Sequence, residues 1–419
     1  MSRMVAVAPD TTAIERNLRL IPVHMALSHA FVWIPIMVLF TRARFDLDGA
    51  LVLSSIYYLS VVALEVPSGW MSDRLGRVLT VRVAAVAWIG AHASFLLGDD
   101  RFWAIALGQS LLAAGFASLS GTDVTLHYDT VESLGLADEF PRREARVRSI
   151  GLLAAAASAL IGGLVGLIDL RLVFALALAL AVVQFVITLA LTEAPAEHHA
   201  ERFTRQLLTC GRYLRDRLLG WIFFYGILMV TLEHVAFALM QPWLTEVLGR
   251  SADDVGATPL FAGVVYAITA TVGAGWARAS APLAERFGPI AVLIGLSALS
   301  ATIVTGMALW TSAAVIALVV FRTAQGAAAP VLISSIVAPR TRRHHRATFL
   351  SLNSLVGRLG WGLILLLVST DAGDDVSGTL RTFAFIAWAM VAAMLATSRI
   401  ARDVPVDDEA ATRVGRTVR

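Results

Sequence analysis

Lysine is missing from this chain, and all 34 of its basic residues are arginine. Cysteine occurs once, at Cys210, which excludes an internal disulfide framework and any multi-cysteine metal site. Charge is scarce as well: 16% of the 419 residues are charged, against about 25% in soluble domains. There is no phosphate-cradling P-loop, so ATP is not expected as a direct energy source. No nucleophile triad or metal-ligand cluster can be assembled either, and Arg343-His344-His345-Arg346 is too cationic to prefer a metal over water. Enzyme action, a cofactor and a resident metal are therefore not expected. Nor is a nucleic-acid partner, although the pI is near 9.4, because the arginines stand in short runs between apolar blocks instead of on a solvated basic face.

What the chain has in abundance is apolar length. Hydrophobic residues make up 57% of it, the mean hydropathy is +0.73, and twelve spans of about 20 residues would use roughly 240 positions. Apolar blocks fall near 20–40, 49–71, 78–97, 102–126, 147–168 and 172–192, then near 218–243, 257–277, 289–309, 312–336, 348–369 and 379–398. The reading is an all-α integral membrane protein with 12 transmembrane helices in two six-helix bundles, 20–192 and 218–398. A polar segment, 1–19, precedes them and a tail, 399–419, follows. The first block is too long for a signal-peptide core and lacks a small-residue cleavage site, so it anchors the chain. Between the bundles, 193–217 interleaves Arg202, Arg205, Arg212, Arg215 and Arg217 with Phe203, Leu207, Leu208, Tyr213 and Leu214, which suits an amphipathic linker helix on a membrane surface. With both termini cytoplasmic, that side receives about 26 arginines and the other about six, as the positive-inside rule requires.

The halves echo one another. After the second block stands Gly69-Trp70-Met71-Ser72-Asp73-Arg74-Leu75-Gly76-Arg77, and after the eighth Ala281-Pro282-Leu283-Ala284-Glu285-Arg286-Phe287-Gly288-Pro289. Both carry an acid-Arg-apolar-Gly core, as parallel repeats would. Glu65, Gly69 and Asp73 are spaced i, i+4, i+8 and share one helix face, where Gly69 permits close approach of a neighbour.

The run Glu65 to Arg77 resembles the signature loop between helices two and three of the major facilitator superfamily, and the six-linker-six arrangement extends that resemblance over nearly the whole chain. Ser120-Gly121-Thr122-Asp123, Tyr128-Asp129-Thr130, Gln241-Pro242-Trp243-Leu244 and Arg346-Ala347-Thr348 are similar to stretches of a bacterial drug- and metabolite-exporter branch. The resemblance implies that Asp73 meets the start of helix eleven and that Arg77 pairs with an acid below helix four, with Asp129 preferred and Asp123 the alternative. Glu65, Gly69, Asp73, Arg74, Gly76, Arg77, Asp123 and Asp129 then form a conformational latch, made when the cytoplasmic side is closed. The plainer alternative is that Arg74 and Arg77 only hold topology. The resemblance also implies that helices one, four, seven and ten line a central cavity.

Polar residues at membrane depth supply the candidate site. Glu233 lies about 15 residues into block seven, or roughly 22 Å at 1.5 Å per residue, inside a hydrocarbon core of about 30 Å. A carboxylate there faces a cavity or a partner and marks an ion or substrate pathway by default. Arg322, about ten residues into block ten, is the natural partner. Either Glu233 exchanges a proton as the cavity alternates, or the two form a permanent structural ion pair. His29 and His234 could relay protons or simply pack. Gln109 and Gln325 could hydrogen-bond a ligand, and Trp33 could offer it a flat apolar face. Two small-residue stripes in block five, Ala155-Ala159-Gly163 and Ser158-Gly162-Gly166, suit close helix packing.

The expected function is alternating-access secondary transport, with proton-coupled efflux of a small, partly apolar drug or metabolite as the leading reading. Uptake or exchange of a metabolite, such as an anion drawn to Arg322, is the alternative within transport. A non-transporting membrane sensor or scaffold is the rival from another class. The expected setting is a multi-pass monomer in a bacterial plasma membrane, with lipid, protons and a small molecule as its partners.

Overall fold

The computed structural model describes residues 11–195, 210–341 and 343–402, and among them all regular structure is helical. The first half holds α1 (Thr11–Ser28), α2 (Met37–Arg42), α3 (Leu47–Leu75), α4 (Arg77–Leu97), α5 (Phe102–Leu119), α6 (Thr122–Ser133), α7 (Phe140–Gly166) and α8 (Leu170–Leu189). The second holds α9 (Arg217–Val247), α10 (Thr258–Phe287), α11 (Pro289–Leu309), α12 (Ala313–Val319), α13 (Ala324–Arg340), α14 (Arg343–Ser369) and α15 (Val376–Arg402). Most of the expected linker helix, including Arg202, Phe203, Arg205, Leu207 and Leu208, lies outside the described residues, as do 1–10 and 403–419.

Among the described residues, eleven helical segments are long and apolar enough to cross a membrane, blocks four and ten each counted across a short break. The first apolar block is not among them, and its break is wider: α1 stops at Ser28 and α2 starts at Met37. Pro35 sits in the gap, where it has no N–H to donate and its ring would clash with the preceding turn of a helix. Blocks four and ten are interrupted too, at Ser120–Gly121 and at 320–323. Gly121 adopts φ +77°, a left-handed conformation that glycine takes without steric cost. The break at 320–323 is held by the Thr323 hydroxyl, which donates to the Thr269 carbonyl of α10 at 2.7 Å.

Large apolar side chains stand bare on the outer surface, among them Trp103 (80% exposed), Phe385 (78%) and Ile168 (77%). Water would penalise such a surface, and lipid does not. Inside the first half, Phe40, Phe95 and Phe174 cluster with ring centroids 4.3 to 6.4 Å apart. In the second half Tyr225, Trp221 and Phe349 are buried.

Helix starts are capped both by neighbouring residues and by residues distant in the chain. Asp216 caps α9 by accepting from Leu218 N and Leu219 N at 2.9 and 3.0 Å. The first turn of α4 is capped instead by Glu193, which accepts from Arg77 N at 2.7 Å and Val78 N at 2.8 Å. Gly76, at φ +109°, makes room for it, since a Cβ there would lie 2.9 Å from the Glu193 carboxylate.

The two bundles meet tightly at the end away from the 72–77 turn. Along α7 and α10, Cβ atoms added at Gly163 and Gly263 would lie 2.7 and 2.5 Å from the carbonyls of Pro259 and Ala159, so the backbones touch. Gly162 faces the Val32 carbonyl, inside the gap between α1 and α2. At the same end Arg42 pairs with Asp374 at 3.2 Å, and Asp374 also accepts from Leu47 N at 3.2 Å.

Candidate functional site

A cavity of about 640 Å³ lies between the bundles. Its first-half wall comes largely from helix breaks: His29 and Trp33 in the gap between α1 and α2, then Gln109 and Phe116 on α5 and Asp123 just past Gly121. The opposite wall holds Glu233, His234 and Phe237 on α9, together with Arg322 in the gap between α12 and α13. Breaking a helix at such a place frees backbone groups that only a protein-lined or wet cavity can tolerate.

Glu233 and Arg322 line the same cavity without pairing. No ion pair within 4 Å joins them among the described residues. The Glu233 carboxylate rests against Gly326 in the first turn of α13, where any Cβ would overlap it. Arg322 is 6% exposed. Its guanidinium lies over the rings of Tyr266 and Phe237, 4.7 and 5.5 Å from their centroids. Its Nε is buried with no hydrogen-bond partner.

Both cavity histidines use Nδ1 locally. His29 Nδ1 lies 3.1 Å from Met25 O, and His234 Nδ1 lies 2.7 Å from Val230 O. A carbonyl can only accept, so Nδ1 carries the hydrogen in each and Nε2 remains available. The His234 ring also packs edge-on against Tyr58 of α3, with centroids 5.3 Å apart, so it bridges the bundles.

The two glutamines part company. Gln109 lines the cavity and lies 3.7 Å from the Met37 sulfur. Gln325 is fully buried behind the wall, donating to Ser297 Oγ at 2.8 Å and Tyr225 OH at 3.2 Å and accepting from Ser300 at 2.9 Å. Its amide is committed to that network, which keeps it from a ligand. Among the residues that sequence reasoning left out are Tyr57, Tyr58, Trp88, Phe31, Phe116, Arg148 and Arg358, all on the cavity wall. A signal existed for the tyrosines, as adjacent hydroxyl-bearing rings in mid-block. For Trp88 and Arg358 nothing in the spacing pointed inward.

The latch residues are divided between three places. Glu65 joins α3 to α14 through Arg358 at 3.1 Å, and further along the same helix contact the Ser55 hydroxyl donates to Gly362 O at 2.7 Å. Arg77 is the hub of the 72–77 turn: its guanidinium contacts Asp73 at 2.6 Å, Ser72 at 2.9 Å and Asp129 at 3.7 Å. Asp123 is in the cavity instead. Asp73, placed at the start of helix eleven by the family pattern, is here 57% exposed and engaged with Arg77. A Cβ on Gly69 would meet nothing within 4 Å, and Trp70, 6.0 Å from Arg74, is exposed. The second bundle therefore reaches that face at Glu65, through Arg358, and not at Gly69.

Comparison with known proteins agrees with this architecture. The sequence model of the Major Facilitator Superfamily matches residues 22–365. No curated protein matches the chain. Among solved structures, a mutant of the nucleoside transporter NupG is similar at 14% identity, with a TM-score of 0.74 over 92% of this chain and 99% of that one. An auto-inhibited POT family peptide transporter matches at 13% identity and TM-score 0.68, covering 94% and 98%. A bacterial homologue of the human lysosomal transporter Spinster, inward-facing and unoccupied, matches at 14% and 0.65, covering 94% and 96%. At such identities the likeness shows the fold.

Proposed function

Because the chain belongs to the major facilitator superfamily, a family of transporters and not of enzymes, we propose that it carries a small, partly apolar compound by alternating access through the cavity between its bundles. The single observation that supports this most is Glu233, a carboxylate without an ion-pair partner among the described residues, in the cavity wall at membrane depth. Such a group can take a proton when water reaches it from one side and release it on the other. The broken helix from Thr11 to Arg42 is the twelfth span, and both termini lie in the cytoplasm. The 72–77 turn is then at the cytoplasmic end, and the conformation described is open toward the cytoplasm and sealed outside.

Export in exchange for protons, across a bacterial plasma membrane and by a monomer, is the first form of this reading. Uptake or exchange of an anionic metabolite is the second, and one observation favours it: Arg322 stands in the wall with no ion pair within 4 Å among the described residues and with its Nε unbonded. The test is flux into proteoliposomes under an imposed pH gradient, screened across candidate compounds. Transport that responds to the gradient in the wild type and not in Glu233→Gln supports the reading. Coupling unchanged in Glu233→Gln removes Glu233 from the mechanism. A protein that moves no compound, yet needs its cytoplasmic loops to bind a partner, is the sensor or scaffold.

A further inference from the structure

A guanidinium offers five N–H donors and holds its charge at any physiological pH. Around Arg322 those donors find little. Its Nε is buried without a partner, no carboxylate lies within 4 Å among the described residues, and its guanidinium sits against the ring faces of Tyr266 and Phe237. Such cation–π contacts put no oxygen acceptor on the guanidinium's N–H donors. The Tyr266 hydroxyl is engaged elsewhere, accepting from Gln241 at 3.4 Å. An unpaired charge so deeply buried is costly to keep, and Arg322 belongs to the wall of the cavity in which a cargo would sit.

The opposite wall is aromatic. Phe116 lies at the centre of a cluster with Phe31, Trp33 and Trp88, at centroid separations of 5.4, 6.3 and 5.2 Å, and all four line the same cavity. From this pairing we infer that the cargo is an aromatic or similarly flat apolar organic anion with one negative group. Its carboxylate, or an equivalent planar oxyanion, pairs with the N–H edge of Arg322, and its ring packs against the Phe116 cluster. This rests on the transport reading and specifies its second form.

Glu233 then sets the linkage. An ionised carboxylate in the same wall repels the incoming anion, and a protonated one does not. Anion and proton therefore bind together and travel in the same direction, whereas a cation competing for Glu233 would move against the proton. No bond to carbon is made or broken: one proton and one anion enter on one side and leave on the other.

The experiment uses the purified full-length protein and three probes of one shape: 2-naphthoate, its uncharged amide 2-naphthamide, and the cation 2-naphthylmethylammonium. Binding is read by quenching of tryptophan fluorescence, since Trp33 and Trp88 line the cavity. The expected result is that naphthoate binds at least about tenfold more tightly than the amide and the cation more weakly still. Naphthoate should bind more tightly to Glu233→Gln than to the wild type, because the substitution removes the carboxylate from the cavity wall. Arg322→Gln should erase the preference for the anion, and Arg322→Lys should recover part of it, lacking the planar fork. Equal binding of the three probes, a preference for the amide or the cation, or no binding of naphthoate overturns the inference. Those outcomes are read from the wild type alone and hold even if the variants fail to fold. The transport reading is judged separately, by gradient-driven flux over the whole compound panel, and it survives if the anion preference is absent.

Discussion

The two ends of the interface between the bundles are built from different materials. At the far end, backbone touches backbone through Gly163 and Gly263. There too Gln241 of α9 reaches into the gap of the broken first span: its Oε1 accepts from Val38 N and Leu39 N at 2.9 and 3.2 Å, and its Nε2 donates to Ile34 O at 2.7 Å. At the 72–77 end Arg77 bonds within one bundle, and a Cβ on Gly69 would meet nothing within 4 Å. The seal is thus made of contacts with little tolerance for change, and the open end of pairs that are half solvated. A two-state element needs this asymmetry in each of its states, with the roles of the ends exchanged as the bundles rock.

Four substitutions break or sharpen that contrast. The largest effect is expected from Gly163→Leu, because the obstructing atoms are the Pro259 carbonyl and the α10 backbone, which cannot rotate away. Overpacking of about 3 kcal/mol should lower the initial transport rate by about 100-fold in proteoliposomes; a rate near wild type would mean that the α7–α10 contact is not part of the seal. Next, Glu233→Gln should abolish the response of transport to an imposed pH gradient, measured as initial flux with and without the gradient; a response equal to wild type would take Glu233 out of the coupling. Gln241→Ala deletes three bonds between the bundles and leaves two α2 N–H groups unpaired, at a cost of about 1–3 kcal/mol. Spin-label distances between positions 42 and 374 should then show a larger population with the far end open. An unchanged distribution would make Gln241 a passive contact. The smallest effect is expected from Asp73→Asn, since an exposed i,i+4 pair contributes under about 1 kcal/mol. Its melting temperature should stay within a degree or two of wild type while transport slows, and a large loss of stability would show that Asp73 already works in the open state.

The two-bundle plan was legible in the apolar blocks, because lipid imposes a length on every span and tolerates no long polar interruption. That Glu233 and Arg322 line a cavity inside the protein could be read for the same reason. Continuity could not, because hydropathy measures the solvent a segment faces and not whether its helix is whole. The gap at 29–36 was announced only by Pro35, and the gap at 320–323 depends on Thr323 meeting a carbonyl 54 residues earlier in the chain. Which way a side chain turns in a buried helix was equally hidden. Gln109 and Gln325 look alike in sequence, yet one faces the cavity and the other completes a network with Tyr225, Ser297 and Ser300. The long-range cap of α4 by Glu193 was invisible, since that residue reads as the start of a linker.

The most direct test is to lock the far end. Cys210 is the sole native cysteine, so a Cys210→Ser background allows cysteines to be placed at Arg42 and Asp374, whose side chains meet across the seal at 3.2 Å. A short bifunctional thiol crosslinker joining them in proteoliposomes should abolish transport, while a third cysteine, at Ser54 in the cavity, stays open to labelling from the 72–77 side. Transport that continues at the uncrosslinked rate would mean that the far end never needs to part, and alternating access through this cavity would be contradicted.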